Sequence, residues 1–266
     1  MIYDCHSHTE FSSDSEMKAE DAIEAARKLG IGLIFTEHYD FDYKESKHYK
    51  EMDFLFDAKK YWETYEALRC DSLMLGVEVG LTPGSIEANR KFINEVPFDQ
   101  VIGSIHAIDK LDIYYPEYYE GKKKEQAYGH YLETMADMVK ANPYIDVLGH
   151  IDYISRYSPY DDKEIGYKEY HDLVDLVLMN VLDTGTVMEL NTRRLDSKAV
   201  AESLLMIYAR YKELGGQYVT IGSDAHTTDA LGYCFDQAYD ILSGIGFNEY
   251  VTYDKRKPLS HKLVIE

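Results

Sequence analysis

Met1-Ile-Tyr-Asp-Cys-His-Ser-His-Thr-Glu-Phe-Ser-Ser-Asp14 opens the chain, and its reading decides the fold. Ile2 to His8 alternates as a short strand does, so His6 and His8, two residues apart, project from one face at the strand's end. Two neutral imidazoles so placed can share one transition-metal ion. A lone His-x-His pair is common on surfaces and in cores, so by itself it identifies nothing. Its weight comes from recurrence, because β-type runs ending on a metal-ligating side chain return along the chain.

The next such run is Ile31-Gly-Leu-Ile-Phe-Thr-Glu-His38. It is reached through a helix over 16–30 with Ala22, Ile23, Ala26 and Leu29 at helical spacing and Gly30 placed to end it. A helix at 57–69 leads to Leu73-Met-Leu-Gly-Val-Glu78, after which Thr82-Pro83 reads as the cap and first turn of a helix running to Glu95. Gln100-Val-Ile-Gly-Ser-Ile-His106 follows, then a helix over 125–140 and Ile145-Asp-Val-Leu-Gly-His150. A helix over 167–183 precedes a strand-like run at 186–192. Asp196 or Ser197 can cap a helix with Val200, Leu204, Ile207, Tyr211 and Leu214 on one stripe, closed by Gly215 and Gly216. Tyr218-Val-Thr-Ile-Gly-Ser-Asp-Ala-His226 comes next, ahead of a helix from Asp229 to about Gly244 and a tail with strand-like 250–253 and 262–265.

These are seven β-then-α units in one register, with crossovers long enough for parallel pairing and no composition break. The expected architecture is α/β, a closed (β/α)7 barrel like the TIM barrel with one unit fewer, spanning 1–266 as a single domain. In such a barrel, polar residues at strand ends meet at the C-terminal rim. Those residues are His6, His8, His38, Glu78, His106, His150, Asp224 and His226, with Asp14 just past the first strand. Six of the ten histidines fall there, whereas His48, His130, His171 and His261 lie in expected loops, helices or the tail. Six imidazoles and three carboxylates exceed the four to six ligands of one ion and suit two or three, with a carboxylate such as Glu78 bridging. A mixed nitrogen and oxygen set fits Zn, Fe or Mn and argues against Ca or Mg alone. Hydrolysis is the matching chemistry, because such ions lower the pKa of water towards about 7 and offset anionic charge.

The formal net charge of −20 and a pI near 4.8 exclude nucleic acid and anionic membrane as natural partners. The opening residues lack a basic segment and a long apolar stretch, and no run of eighteen apolar residues occurs, so the expectation is a cytoplasmic protein. Cys5, Cys70 and Cys234 are far apart and odd in number, as reduced thiols are. The 25 tyrosines are scattered over helices and loops, which suggests packing at the rim of the core.

His6-Ser-His8 with Ser13-Asp14-Ser15, Thr36-Glu-His38, Gly76-Val-Glu78-Val-Gly, Gly103-Ser-Ile-His106, Gly149-His150-Ile-Asp152-Tyr and Ser223-Asp224-Ala-His226 together resemble the PHP (polymerase and histidinol phosphatase) superfamily. Within it the chain resembles the histidinol-phosphate phosphatases. The resemblance implies a distorted (β/α)7 barrel with a trinuclear site hydrolysing L-histidinol phosphate. It implies a first ion on His6, His8, Glu78 and Asp224, a second on Glu78, His106 and His150, and a third on Asp14, His38 and His226. Asp14 stands where many relatives have histidine, which implies a weaker third site or a harder ion such as Mn or Fe. Arg156 and Arg193 match the arginines that clamp phosphate, a role suited to a planar fork, and Arg194 competes with Arg193 for it. The simplest expected source of the leaving group's proton is a metal-bound water, with Asp224 or His226 as rim acids only where they are not committed to metal. The loop 107–124, with Tyr114-Tyr-Pro-Glu-Tyr-Tyr119 and Asp109, Asp112 and Glu117, is expected to overhang the pocket and meet the substrate's imidazole and ammonium. The alternatives are a PHP phosphoesterase for another small phosphomonoester (a nucleotide, sugar phosphate or phosphotyrosine), or a metal-stabilised module like those attached to DNA polymerases.

Overall fold

A computed structural model describes residues 1–45, 48 and 53–263. Seven strands form one parallel sheet: β1 (Ile2–Ser7), β2 (Ile31–Tyr39), β3 (Leu73–Gly80), β4 (Val101–Ser104), β7 (Val147–Leu148), β8 (Val187–Asn191) and β9 (Val219–Gly222). Their spatial order is their chain order. The sheet curls until its first and last strands meet, with the His8 N–H donating to the Ala225 carbonyl at 2.9 Å and the Asp224 N–H to the His6 carbonyl at 2.8 Å. The result is a nearly closed parallel barrel. Its strands are buried along almost their whole length, as all eight residues of β3 are, because side chains point either into the barrel or under the surrounding helices.

The helices are α1 (Ala19–Leu29), α2 (Ala58–Tyr65), α3 (Ile86–Phe92), α4 (Lys124–Ala141), α5 (Tyr153–Tyr157), α6 (Tyr167–Thr184), α7 (Lys198–Glu213) and α8 (Phe235–Ile245). Gly30 ends α1 in the left-handed region at φ 71°, and Ile31 starts β2 at once. The Asp57 carboxylate caps α2 by accepting from the N–H groups of Lys59 and Lys60 at 2.9 and 3.0 Å.

Four expectations need correction. Thr82-Pro83 does not open a helix: Thr82 is drawn to Asp42 and closes a turn onto Ser85, so α3 begins only at Ile86 and ends before Glu95. The helix placed at Asp229 is a short 3-10 turn (Thr228–Ala230), and α8 starts at Phe235 because Gly232 and Cys234 take left-handed φ of 67° and 56° between them. The tail strand lies earlier than expected. β10 (Glu249–Asp254) pairs antiparallel with β11 (Lys257–Lys262) through a turn with Lys255 and Arg256 at positive φ, and 264–266 lie outside the described residues. Finally, many tyrosines are core rather than rim. Tyr61, Tyr118 and Tyr131 are fully buried with their hydroxyls donating to the carbonyls of Phe35, Ala127 and His150.

The β10–β11 hairpin closes the end of the barrel where the strands begin. The Tyr250 hydroxyl accepts from the Tyr3 N–H at 3.2 Å, and Arg256 reaches Asp146 just ahead of β7. At the opposite end a second small hairpin, β5 (Ala107–Ile108) with β6 (Leu111–Asp112), follows β4 and overhangs the strand ends. One end is therefore plugged and the other open.

Candidate active site

The open end gathers the nine expected ligand residues around Glu78. Both oxygens of its carboxylate are engaged: Oε1 lies 2.9 Å from His150 Nε2 and 3.3 Å from His106 Nε2, and Oε2 lies 2.9 Å from His38 Nδ1 and 3.3 Å from His6 Nε2. His8 Nε2 is 3.6 Å from Glu78 Oε2 and 3.4 Å from Asp224 Oδ1. Asp14 Oδ2 lies 3.1 Å from His226 Nε2 and 3.5 Å from His38 Nε2. Four groupings bring one ligand atom per residue within 4.8 Å of the others: His6, His8, Asp224; His6, Glu78, His150; His8, His38, His226; and His38, Asp40, His106. Asp40 was not anticipated, although it directly follows the strand that ends near His38.

The donor set passes a chemical test for cations. Among the described residues His6 Nε2 and His8 Nε2 are buried without a hydrogen-bond partner, and His38 Nδ1 and Glu78 Oε2, 2.9 Å apart, are not aligned as a hydrogen bond. Such atoms are costly in a protein interior unless a cation satisfies them. The outer nitrogens are already occupied. His6 Nδ1 is 2.6 Å from Glu189 Oε1, and His106 Nδ1 is 2.9 Å from Asp40 Oδ1. Ser12 Oγ donates to Glu37 at 2.6 Å, so at 3.1 Å it accepts from His8 Nδ1, whose proton is thereby fixed on the outer side.

The electrostatics divide the histidines: burial, with neighbouring positive charge, lowers His8 and His150 and keeps them neutral, whereas others are raised. Burial pushes His6, His38 and His106 down, yet the facing carboxylates outweigh it; Asp40 and Glu78 raise His106 to about 10. Burial likewise opposes the charge on Glu78 and Asp224. The histidines around Glu78, and Arg156 with His6 beside Asp224, hold both well below the usual carboxylate range. Asp224 also has a left-handed φ of 55°, which is rare for a residue with a side chain and is kept here at the junction of the first and last strands.

Beside this cluster lies a cavity of about 310 Å³. Both expected arginines line it. Arg156, carried on the single turn of α5 and almost buried, donates to Asp224 Oδ2 at 2.5 Å and to Asn191 Oδ1 at 3.1 Å. Arg193 donates to the Asp224 carbonyl at 3.1 Å, and its side chain is 42% exposed. Arg194 turns away to Glu164 and Asp152, which removes it as a competitor. Tyr43, Phe54, Tyr114, Tyr115, Tyr153 and Tyr157 form the aromatic wall, with Asp112 among them. Tyr43 and Phe54 come from the loop after β2 and were not anticipated. Of the three acidic residues expected over the pocket, Asp109 pairs with His130 and Glu117 with His48, so only Asp112 lines the cavity. His130, His171 and His261 lie away from the cluster, as expected.

A nearly closed parallel barrel with this ligand cluster and two guanidinium groups on one cavity defines a metal-dependent phosphoesterase. Residues 4–193 match the PHP domain family. The chain is 42% identical over 256 residues to a probable histidinol-phosphatase of Clostridium acetobutylicum, covering 96% of this chain and 98% of the relative. It is 30% identical over 261 residues to the histidinol-phosphatase of Lactococcus lactis subsp. lactis, covering 96% and 95%. The crystal structure of the Lactococcus lactis histidinol phosphate phosphatase, complexed with Zn, L-histidinol and phosphate, superposes with a TM-score of 0.91 at 29% identity, covering 97% of this chain and 98% of that one. The chain belongs to the PHP family and, within it, to the histidinol-phosphatases.

Proposed function

We propose that this chain hydrolyses L-histidinol phosphate to L-histidinol and phosphate, a step of histidine biosynthesis. The observation that carries the reading is the convergence of the Glu78-centred cluster, Arg156 and Arg193 on one cavity. The Zn, L-histidinol and phosphate of the Lactococcus lactis complex support it. In this reading His6, His8, Glu78 and Asp224 would hold a first ion, Glu78, His106 and His150 a second, and Asp14, His38 and His226 a third. Two or three divalent ions (Zn, Fe or Mn) would supply Lewis acidity there, lowering the pKa of water and offsetting the charge of the phosphate. The reading also treats 1–266 as one catalytic domain working in the cytoplasm.

The protein's own groups divide the remaining work. Arg156 and Arg193 hold the equatorial phosphoryl oxygens, where charge spreads during transfer. Arg156 is set for this by Asn191 and Asp224, which fix its fork before substrate arrives. Asp224 is held in its anionic form by Arg156 and His6, so it orients and does not protonate the leaving oxygen. That leaves solvent at the cavity mouth as the proton source, and His226, at the cavity's edge, only when it holds no third ion. At the far end the tyrosines stack on the imidazole of the substrate and Asp112 accepts from its ammonium.

The test is phosphate release by Zn- or Mn-loaded protein from L-histidinol phosphate, AMP, a sugar phosphate and phosphotyrosine, with Arg156→Ala alongside. Strong preference for L-histidinol phosphate, lost in Arg156→Ala, is the expected result. Slow turnover spread evenly over the four would overturn the substrate and leave a general PHP phosphoesterase.

A further inference from the structure

Glu189 sits on β8 below the ligand cluster and is 1% exposed. Its Oε1 is 2.6 Å from His6 Nδ1, and its Oε2 accepts from the backbone N–H of His150 at 2.8 Å. One carboxylate thus touches residues of two other barrel strands or their ends, both bearing candidate ligands. Its approach depends on Gly222 of β9, where an added Cβ would lie 2.4 Å from His6 Cβ and 2.5 Å from Glu189 Oε1. Four of the barrel's strands therefore meet at this one side chain.

We infer that Glu189 is a positioning residue for the metal centre: it locks His6 in the Nδ1–H form, so that Nε2 presents its lone pair inward, and ties His150 to the same frame. This rests on the reading of His6 and His150 as ligands. The chemistry follows from donor and acceptor counts. A carboxylate only accepts, and here it receives three N–H groups, the third from Asn191 Nδ2 to Oε2 at 3.4 Å. Glutamine in its place offers one acceptor and one donor. With its oxygen towards His6, its amide confronts the His150 N–H. With its amide towards His6, the ring must move its proton to Nε2 and loses its inward lone pair. Outer partners of ligating histidines typically change metal affinity about 10- to 100-fold.

The experiment measures Zn affinity and stoichiometry of wild type and Glu189→Gln by competition with a chromogenic chelator, and the His6 tautomer in Zn-loaded wild type by ¹H–¹⁵N correlation, assigned by its loss in His6→Gln. The expected result is at least one ion weakened about 10- to 100-fold in Glu189→Gln, with a protonated Nδ1 on His6 in wild type. Equal affinity for every ion in Glu189→Gln would overturn the inference. Should that variant not fold, the wild-type spectrum decides, and an unprotonated Nδ1 overturns it. Neither readout uses turnover, so failure on L-histidinol phosphate would overturn the substrate and leave this result standing.

Discussion

Arg156 and Arg193 differ in burial, and that difference sets what each contributes. The Arg156 side chain is 6% exposed and that of Arg193 is 42% exposed. A hydrogen bond to a charged group contributes about 1.5 to 3 kcal/mol when it is shielded from water. Arg156→Lys keeps the charge but not the fork, so kcat/KM for L-histidinol phosphate is expected to fall about 10- to 100-fold. Arg193→Lys is expected to cost less, about tenfold or under, and its deficit to shrink as salt is raised. Equal, salt-independent losses would contradict this ranking. Which arginine turns into the cavity was open between Arg193 and Arg194 in the sequence, because neighbours in a loop carry no periodicity. Glu164, thirty residues earlier in the chain, decides it by pairing with Arg194. The nine expected ligand residues could be picked out because each stands at or just past an expected strand end, and the structure brings them together around Glu78. Asp40, Glu189 and Glu37 were not singled out, since a carboxylate that meets a histidine directly, or through a hydroxyl as Glu37 does through Ser12, has no spacing signature and is recognised only once distant strands lie side by side.

The barrel was legible in its order of elements and less so in their extents. Strand runs were read as ending on their ligands, yet β7 spans only Val147–Leu148 and β9 only Val219–Gly222, and beyond β9 the chain departs from regular strand geometry at Asp224, with φ 55°, while Asp224 and Ala225 still bond to β1. Propensity cannot reveal that departure, because functional geometry prevails over the extended form at the rim. The β10–β11 hairpin was visible only in part, and its fastening not at all. Arg256 at its turn pairs with Asp146, whose carboxylate also accepts from the Val101 N–H at 2.8 Å. Burial raises the Asp146 pKa above 3.8, and Arg256 works against that rise. A carboxyl raised in the fold is favoured when protonated, so its contribution to stability falls as pH climbs from 3.8 through the folded value. Arg256→Ala removes the opposing charge and raises the folded value further. The variant is expected to lose about 1 to 3 kcal/mol near neutrality, discounted from the cost of a fully buried broken pair because Arg256 is partly exposed. The deficit should narrow in urea melts as pH falls towards 3.8. A deficit that does not change on acidification would mean that Arg256 acts through packing and its bond to the Tyr144 carbonyl and not through the charge on Asp146.

The whole molecule carries a net charge of −20, yet its rim is built to hold positive charge. Protons and divalent ions compete for the same atoms there, which links metal binding to stability and pH. In the ion-free protein the carboxylates raise His6 and His38 well above 6.5 and His106 to about 10. Groups raised in this way stabilise the fold fully below 6.5, and that contribution is lost as pH rises through their folded values, about 10 for His106. The ion-loaded protein runs the other way, because imidazoles must shed their protons to bind and the ions therefore bind more tightly as pH rises. Zn at about a thousandfold over its dissociation constant contributes about 4 kcal/mol, or about 8 to 16 °C in a protein of this size. The gap in melting temperature between Zn-loaded and chelator-treated protein is accordingly expected to widen from about pH 6 to about pH 9. Calorimetry on the two forms across that range checks it. A gap independent of pH would mean that the ligand histidines are already neutral before ions arrive, and that the carboxylates at the rim do not favour protons over an open lone pair.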